Sequence, residues 1–239
     1  MRRNQLSEAP LGALKAPTPH YLGHRMRLRE RFLKGGADGL PDYELLELVL
    51  FAGIPRKDVK ALAKHLIERL GDFGEVIAAP KERLLELGLS EGSVAQLKII
   101  EAAAQRLART RVLKRPAISS WTALLDYCAT TMARESREEF RVLFLDRKNF
   151  LIGDEVQTTG TVDHTPVYPR EIVKRALELG ASALILVHNH PSGDPAPSRA
   201  DIAMTAEVVA AAKALKIDVH DHLVIGRNGH ASFKSLGLI

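Results

Sequence analysis

The chain has 239 residues, 46% of them hydrophobic and 26% charged, which is enough apolar material for one large or two modest domains and ordinary for a soluble protein. A single cysteine, Cys128, excludes an internal disulfide and a cysteine-rich zinc finger. The net charge of +5 is uneven: residues 1–115 carry 21 Lys and Arg against 14 Asp and Glu, and residues 116–239 carry 13 against 15. A basic half joined to a slightly acidic half suggests two jobs, and a basic surface attracts polyanions, nucleic acid first among them. A solvated helical surface accounts for the charge equally well.

Residues 1–20 contain Pro10, Pro17 and Pro19 and read as a flexible tail. Basic residues there have no apolar run behind them, so no signal peptide is expected. No stretch is long and apolar enough for a membrane span, and a soluble, cytoplasmic protein is expected. HRMRLRERFL, from His24, predicts a short basic helix with Arg25, Arg27, Arg29 and Arg31, ended by Gly35, Gly36 and Gly39. Pro41 opens a second helix, mostly buried through Leu45, Leu46, Leu48, Val49 and Phe51. A third follows Asp58, with Val59, Leu62, Ala63, Leu66, Ile67 and Leu70 on one face. Pro80 begins a short fourth helix, and Ser90 caps a fifth. Around Gly88 the segment ERLLELGLSEGSVAQLKIIEAA resembles a helix-hairpin-helix element, which holds a phosphate backbone on turn amides. Ser90 stands where the usual pattern has a second glycine, so an ordinary helical hairpin fits as well.

Pro116 marks a change to mixed α and β. Ser119 or Ser120 is expected to cap a helix carrying Trp121, Leu124, Leu125 and Cys128, the cysteine reading as a small core residue. EFRVLFLD alternates and predicts a strand, and a second follows near FLIGDEV. Pro169 opens a helix to Leu179 that Gly180 ends. Ala183 to Val187 is a continuous apolar run, as in a central strand buried on both faces. A helix from about Arg199 to Leu215 follows, and VHDHLVIG and HASFK read as closing strands. The expected organisation is a tail (1–20), a helical domain (21–115) and a domain of α/β (α+β) class with a mixed sheet and flanking helices (116–239).

The chemistry concentrates in HNHPSGDPAPSRAD, His188 to Asp201. Two histidines one residue apart in extended backbone point the same way and can share one ion. A Pro- and Gly-rich loop turns the chain back, and Asp201 falls in the first turn of the next helix. Two histidines and one carboxylate leave a fourth tetrahedral position for water, as a catalytic zinc requires. A carboxylate near the metal must take the proton of that water, and Glu155 is the candidate over its neighbour Asp154. Strand pairing is expected to bring Glu155 beside the histidines. Ser198 can donate to the oxyanion of a tetrahedral intermediate. Ser198 and Asp201 also fit a helix start, with serine as N-cap and an acidic residue three later. His220-Asp221-His222 is a second HxH, without a third ligand in register, and reads as structural. His164 could border the cleft, and Asp194 reads as fixing the loop turn.

His188-x-His190, seven residues, then Ser198-x-x-Asp201, with Glu155 upstream, resembles the full JAMM/MPN metalloprotease motif. YPREIVKRALELGASALILVHNHPSGDPAPSRADI and DHLVIG are similar to the RadC family, as are the N-terminal strings RERFL, LPDYELLELVLFAG and LLELGLSEGSVAQLK. The resemblance implies a JAMM/MPN, cytidine-deaminase-like domain and a zinc-dependent hydrolase, one Zn2+ per chain. It implies peptide or isopeptide bonds as substrate, and DNA repair as the family's historical association. Two other readings stay open: a phosphodiester-cleaving enzyme, and a non-enzymatic DNA-binding protein with a structural zinc. The sequence leaves the oligomeric state open.

Overall fold

The computed structural model describes residues 23–114, 116–159 and 167–239. The expected tail, Arg115 and His164 lie outside the described residues. The chain divides into two compact units, Met1–Phe73 and Gly74–Ile239, a division that falls before the composition change at Pro116.

The first unit is helical: α1 (His24–Gly35), α2 (Asp42–Gly53) and α3 (Lys60–Leu70). Pro41 precedes α2 in extended backbone, and Asp42 and Glu44 occupy the first turn, where the helix dipole favours negative charge. The core is Leu28, Leu46, Leu50, Ala63 and Leu66. Part of the basic stripe of α1 is used internally. Arg25 donates to the carbonyls of Phe51, Ile54 and Lys57 and lies over the Phe51 ring, and Arg31 pairs with Glu44.

The second unit begins with α4 (which spans Phe73–Ala78), α5 (Lys81–Glu86) and α6 (Glu91–Leu113). Gly88, in the turn between α5 and α6, has φ +92°, which a residue with Cβ rarely adopts. Ser90 caps α6 by accepting from the Ser93 N–H. After Pro116 comes a 3-10 turn, Ile118–Ser120, then α7 (Trp121–Met132). Neither serine caps α7: both hydroxyls donate back to the Pro116 carbonyl, which stabilises the 3-10 turn instead.

The remaining elements are β1 (Glu139–Leu145), β2 (Leu151–Thr159), α8 (Pro169–Leu179), β3 (Ala183–Asn189), α9 (Arg199–Ala214), β4 (Asp218–Gly226) and β5 (Gly229–Ser232). They build one mixed sheet in the order β2-β1-β3-β4-β5. β1 pairs antiparallel with β2 and β3, and β3 pairs parallel with β4 across the α9 crossover. All seven residues of β3 are buried, as its unbroken apolar run predicts. Alternation along the strands divides the core into two layers. Leu143, Ile185, Val187 and Leu223 pack with Leu124, Cys128 and Met132 of α7. Phe140, Val142, Leu184 and Leu186 pack with Ile172 and Val173 of α8 and Val208 of α9. The result is a sheet with helices on both faces, mixed α/β in class.

Candidate metal centre

β3 ends in His188 and Asn189, which by alternation face opposite layers. His188 follows Leu184 and Leu186 onto the α9 face. His190 lies one residue past the strand, its N–H bonded to the Ile225 carbonyl. A loop then leads to α9, which starts at Ser198 with a capping box: the Ser198 hydroxyl accepts the Asp201 N–H, and the Asp201 carboxylate accepts the Ser198 N–H at 2.7 Å. The two readings of these residues are therefore compatible. The cap orients a carboxylate whose oxygens lie 3.5 Å from His188 Nε2 and 3.6 Å from His190 Nε2.

The outer hydrogen bonds bear on where the imidazole protons are. His190 Nδ1 is 2.8 Å from the Asp194 carbonyl, which can only accept, so Nδ1 carries a proton and, in the neutral ring, Nε2 keeps the lone pair. Asp194 thus holds His190 through its backbone, while its side chain accepts the Ala196 N–H and fixes the turn. On the inner side, Thr205 Oγ1 donates to the Asp201 carbonyl at 2.6 Å. At its 2.6 Å contact with His222 Nδ1 the same oxygen must therefore accept. His222 is fully buried, and burial pushes its pKa well below the usual range, so the ring is neutral. Its Nε2 then accepts from His188 Nδ1 at 2.8 Å, leaving His188 Nε2 with a lone pair.

With both rings neutral, two nitrogen lone pairs face each other 3.0 Å apart beside a carboxylate, an arrangement that a shared cation satisfies. A tetrahedral zinc with bonds of about 2.0–2.1 Å sets its ligand atoms roughly 3.3 Å apart. The nitrogens are 3.0 Å apart, and each lies 3.5 or 3.6 Å from a different oxygen of the Asp201 carboxylate, distances near that figure. With one carboxylate oxygen chosen, the three ligand atoms lie within 4.8 Å of one another, and among the described residues no other group of three metal-binding side chains comes together. Without a cation a proton can stand in its place: burial would raise the Asp201 carboxyl, but hydrogen bonds from His188 and His190 hold it far below the usual range, and Asp201 in turn raises His190.

Chains with this pattern have close relatives. A family model described as the RadC-like JAB domain matches residues 118–238, and one described as UPF0758 N-terminal matches residues 21–90. The chain belongs to the RadC family. A UPF0758 protein of Rhodobacter capsulatus is 66% identical over 213 residues, 89% of this chain and all of the relative. A UPF0758 protein of Ruegeria pomeroyi is 61% identical over 223 residues, 92% of this chain and all of the relative. A JAB-type domain with this His-His-Asp arrangement is consistent with a metal-dependent hydrolase.

Strand pairing does not bring Glu155 beside the histidines. It pairs with Val142 of β1, and β1 stands between β2 and β3, so Glu155 lies two strands, roughly 10 Å, from β3. It is also two residues along from the row Thr158–Phe140–His188. Its carboxylate accepts three contacts of 2.7–3.0 Å from the Arg175 guanidinium of α8, which holds its pKa below the ordinary value. Asp154, its neighbour, points to the other face and is bound by Arg141 and Tyr127. After Asp201, the charge of Glu138, two residues before Phe140, also helps raise His190. Asn189 anchors that approach. Its side chain accepts the Glu139 N–H and donates to the carbonyls of Glu135 and Arg137.

His222, read from the sequence as structural, lies beside the candidate ligands. It contacts His188 directly, whereas its partner in the triplet, His220, bonds Asn149 away from the site.

Proposed function

We propose that this chain is a zinc-dependent hydrolase of peptide or isopeptide bonds, with His188, His190 and Asp201 as ligands. The observation that carries this reading is the convergence of two Nε2 atoms and one carboxylate, each group held from behind by its own hydrogen bond. Two nitrogens and one oxygen, with a fourth direction open, suit catalytic zinc. When bound, zinc supplies Lewis acidity and brings the pKa of a coordinated water toward neutrality.

The protein's own groups do the rest. Glu138, whose charge bears on His190, is the proposed carboxylate that takes a proton from the water and returns it to the leaving amine, in place of the Arg175-bound Glu155. The Ser198 oxygen accepts from the Asp201 N–H, which leaves its O–H to donate to an oxyanion developing at the mouth of the site. Phosphodiester cleavage fits less well, because such enzymes often use paired metals and one cluster alone forms among the described residues. A purely structural zinc does not explain the open fourth direction.

DNA is the proposed partner of the basic helical region, with the exposed Arg106, Arg109 and Arg111 of α6 as its contacts. In the turn resembling a helix-hairpin-helix, Ser90 is an N-cap rather than a second glycine, which favours side-chain over turn-amide contacts to phosphate. No described helix is long and apolar enough to cross a membrane.

The test is an unbiased search for cleaved products in a proteome digest, comparing zinc-loaded wild type with Glu138→Gln. New peptide termini produced by wild type and absent with the variant are expected. DNA cleavage without peptide cleavage, or equal products from both proteins, contradicts the reading.

A further inference from the structure

We propose that His222 and Thr205 are positioning residues of the metal site, forming a buried hydrogen-bond relay that presents the Nε2 lone pair of His188 to the metal. The inference rests on the metal-site reading and extends it to two residues that the ligand pattern does not include.

The relay starts and ends on candidate ligands. From the Asp201 carbonyl it runs through Thr205 Oγ1 (2.6 Å), His222 Nδ1 (2.6 Å) and His222 Nε2 to His188 Nδ1 (2.8 Å). The carbonyl has no proton to give, so Thr205 donates to it and accepts from His222 Nδ1; in a neutral His222 ring the remaining Nε2 then accepts from His188 Nδ1. Reversing the His188 tautomer would leave two acceptors facing each other 2.8 Å apart at His222.

The surroundings leave the relay no substitute partner. His222 and Thr205 are 0% and 1% exposed. The His222 ring stacks on Phe233 at 4.5 Å and meets Phe140 edge-on at 5.7 Å, which fixes its plane and shuts water out. Two apolar side chains would fill this space at lower desolvation cost, so a buried histidine and threonine here call for a role beyond packing. The relay also ties strand to helix: one ligand is on β3, another on α9, and their relative position passes through the Thr205–His222 link.

The test uses the full chain and two readouts. Long-range proton–nitrogen correlation spectra of the metal-free protein report histidine tautomers, and competition with a chromophoric chelator reports zinc affinity. His188 is expected as the Nδ1–H tautomer in wild type. Thr205→Val, which keeps shape but removes the hydroxyl, is expected to mix the tautomers and weaken zinc binding on the order of 10- to 100-fold. Thr205→Ser is expected to restore both. An Nε2–H tautomer of His188 in wild type overturns the relay, as does wild-type zinc affinity in a folded Thr205→Val or His222→Leu variant. A wild-type protein that binds no zinc yet shows the Nδ1–H tautomer, lost in Thr205→Val, sinks the metal reading and leaves the relay standing.

Discussion

His188 Nε2 and His190 Nε2 face each other at 3.0 Å, each ring held by a hydrogen bond at Nδ1 on its far side. An ion shared by these nitrogens and the Asp201 carboxylate binds the folded arrangement and not the unfolded chain. Zinc should therefore stabilise the fold by mass action, by about 2.7 kcal/mol at a free concentration 100 times the dissociation constant. Thermal melts with chelator and with zinc measure this; coincident melts would count against a site preorganised for a cation.

The Glu155–Arg175 pair yields a pH prediction. Arg175 holds the Glu155 carboxyl below its ordinary 4.5 in the folded chain. Such a group contributes stability above its unfolded pKa and loses it as pH falls through the lower, folded value. Glu155→Gln should therefore lower the melting temperature at pH 7, with the gap to wild type closing in acid. The effect should be small, because the side chains are 33% and 40% exposed and solvent screens the pair. Zinc content should not change. A variant that loses its zinc, or a gap that widens in acid, contradicts this structural role.

Gly226 closes β4 against the ligand loop. A Cβ there would lie 2.3 Å from the Gly193 carbonyl oxygen and 3.0 Å from Pro195 Cδ, so the loop would have to move. The same loop carries the Asp194 carbonyl that holds His190. Gly226→Ala should cost about 1–3 kcal/mol by overpacking and weaken zinc binding as well. Denaturant unfolding together with chelator competition checks both effects. Unaltered zinc affinity would show that the loop does not tune the ligand.

Cys128 is 1% exposed in the α7 layer, and burial pushes its thiol up to about 12, with the Asp154 charge adding to the effect. At pH 8 the reactive thiolate is then scarce. Iodoacetamide should label the chain only after denaturant is added, as read by intact mass. Rapid labelling of the native protein would contradict the packing of α7.

What was legible in the sequence is what is local. His188, His190, Ser198 and Asp201 belong to one strand end, one loop and one helix start, so spacing alone brings them together. The strands and long helices were legible for the same reason, through periodicity. Six-residue α4 is too short to show a period, and the serines before α7 close a 3-10 turn rather than a cap. The order of strands is not local. Glu155 reads as near the histidines until β1 is seen between β2 and β3. His222 is 34 residues from His188, and their contact depends on the parallel register that sets His222 opposite Leu186. Glu138 is hidden in a run of charges from Arg134 to Glu139; its position two residues before Phe140, on the face of His188, was the available signal.

The most direct measurement is metal content per chain after exhaustive dialysis, by inductively coupled plasma mass spectrometry, on wild type and Asp201→Asn. The account predicts about one zinc per wild-type chain and its loss in the variant, with the fold retained. A wild-type chain without zinc, or an Asp201→Asn chain that keeps all of it, would contradict the assignment of His188, His190 and Asp201 as the metal site.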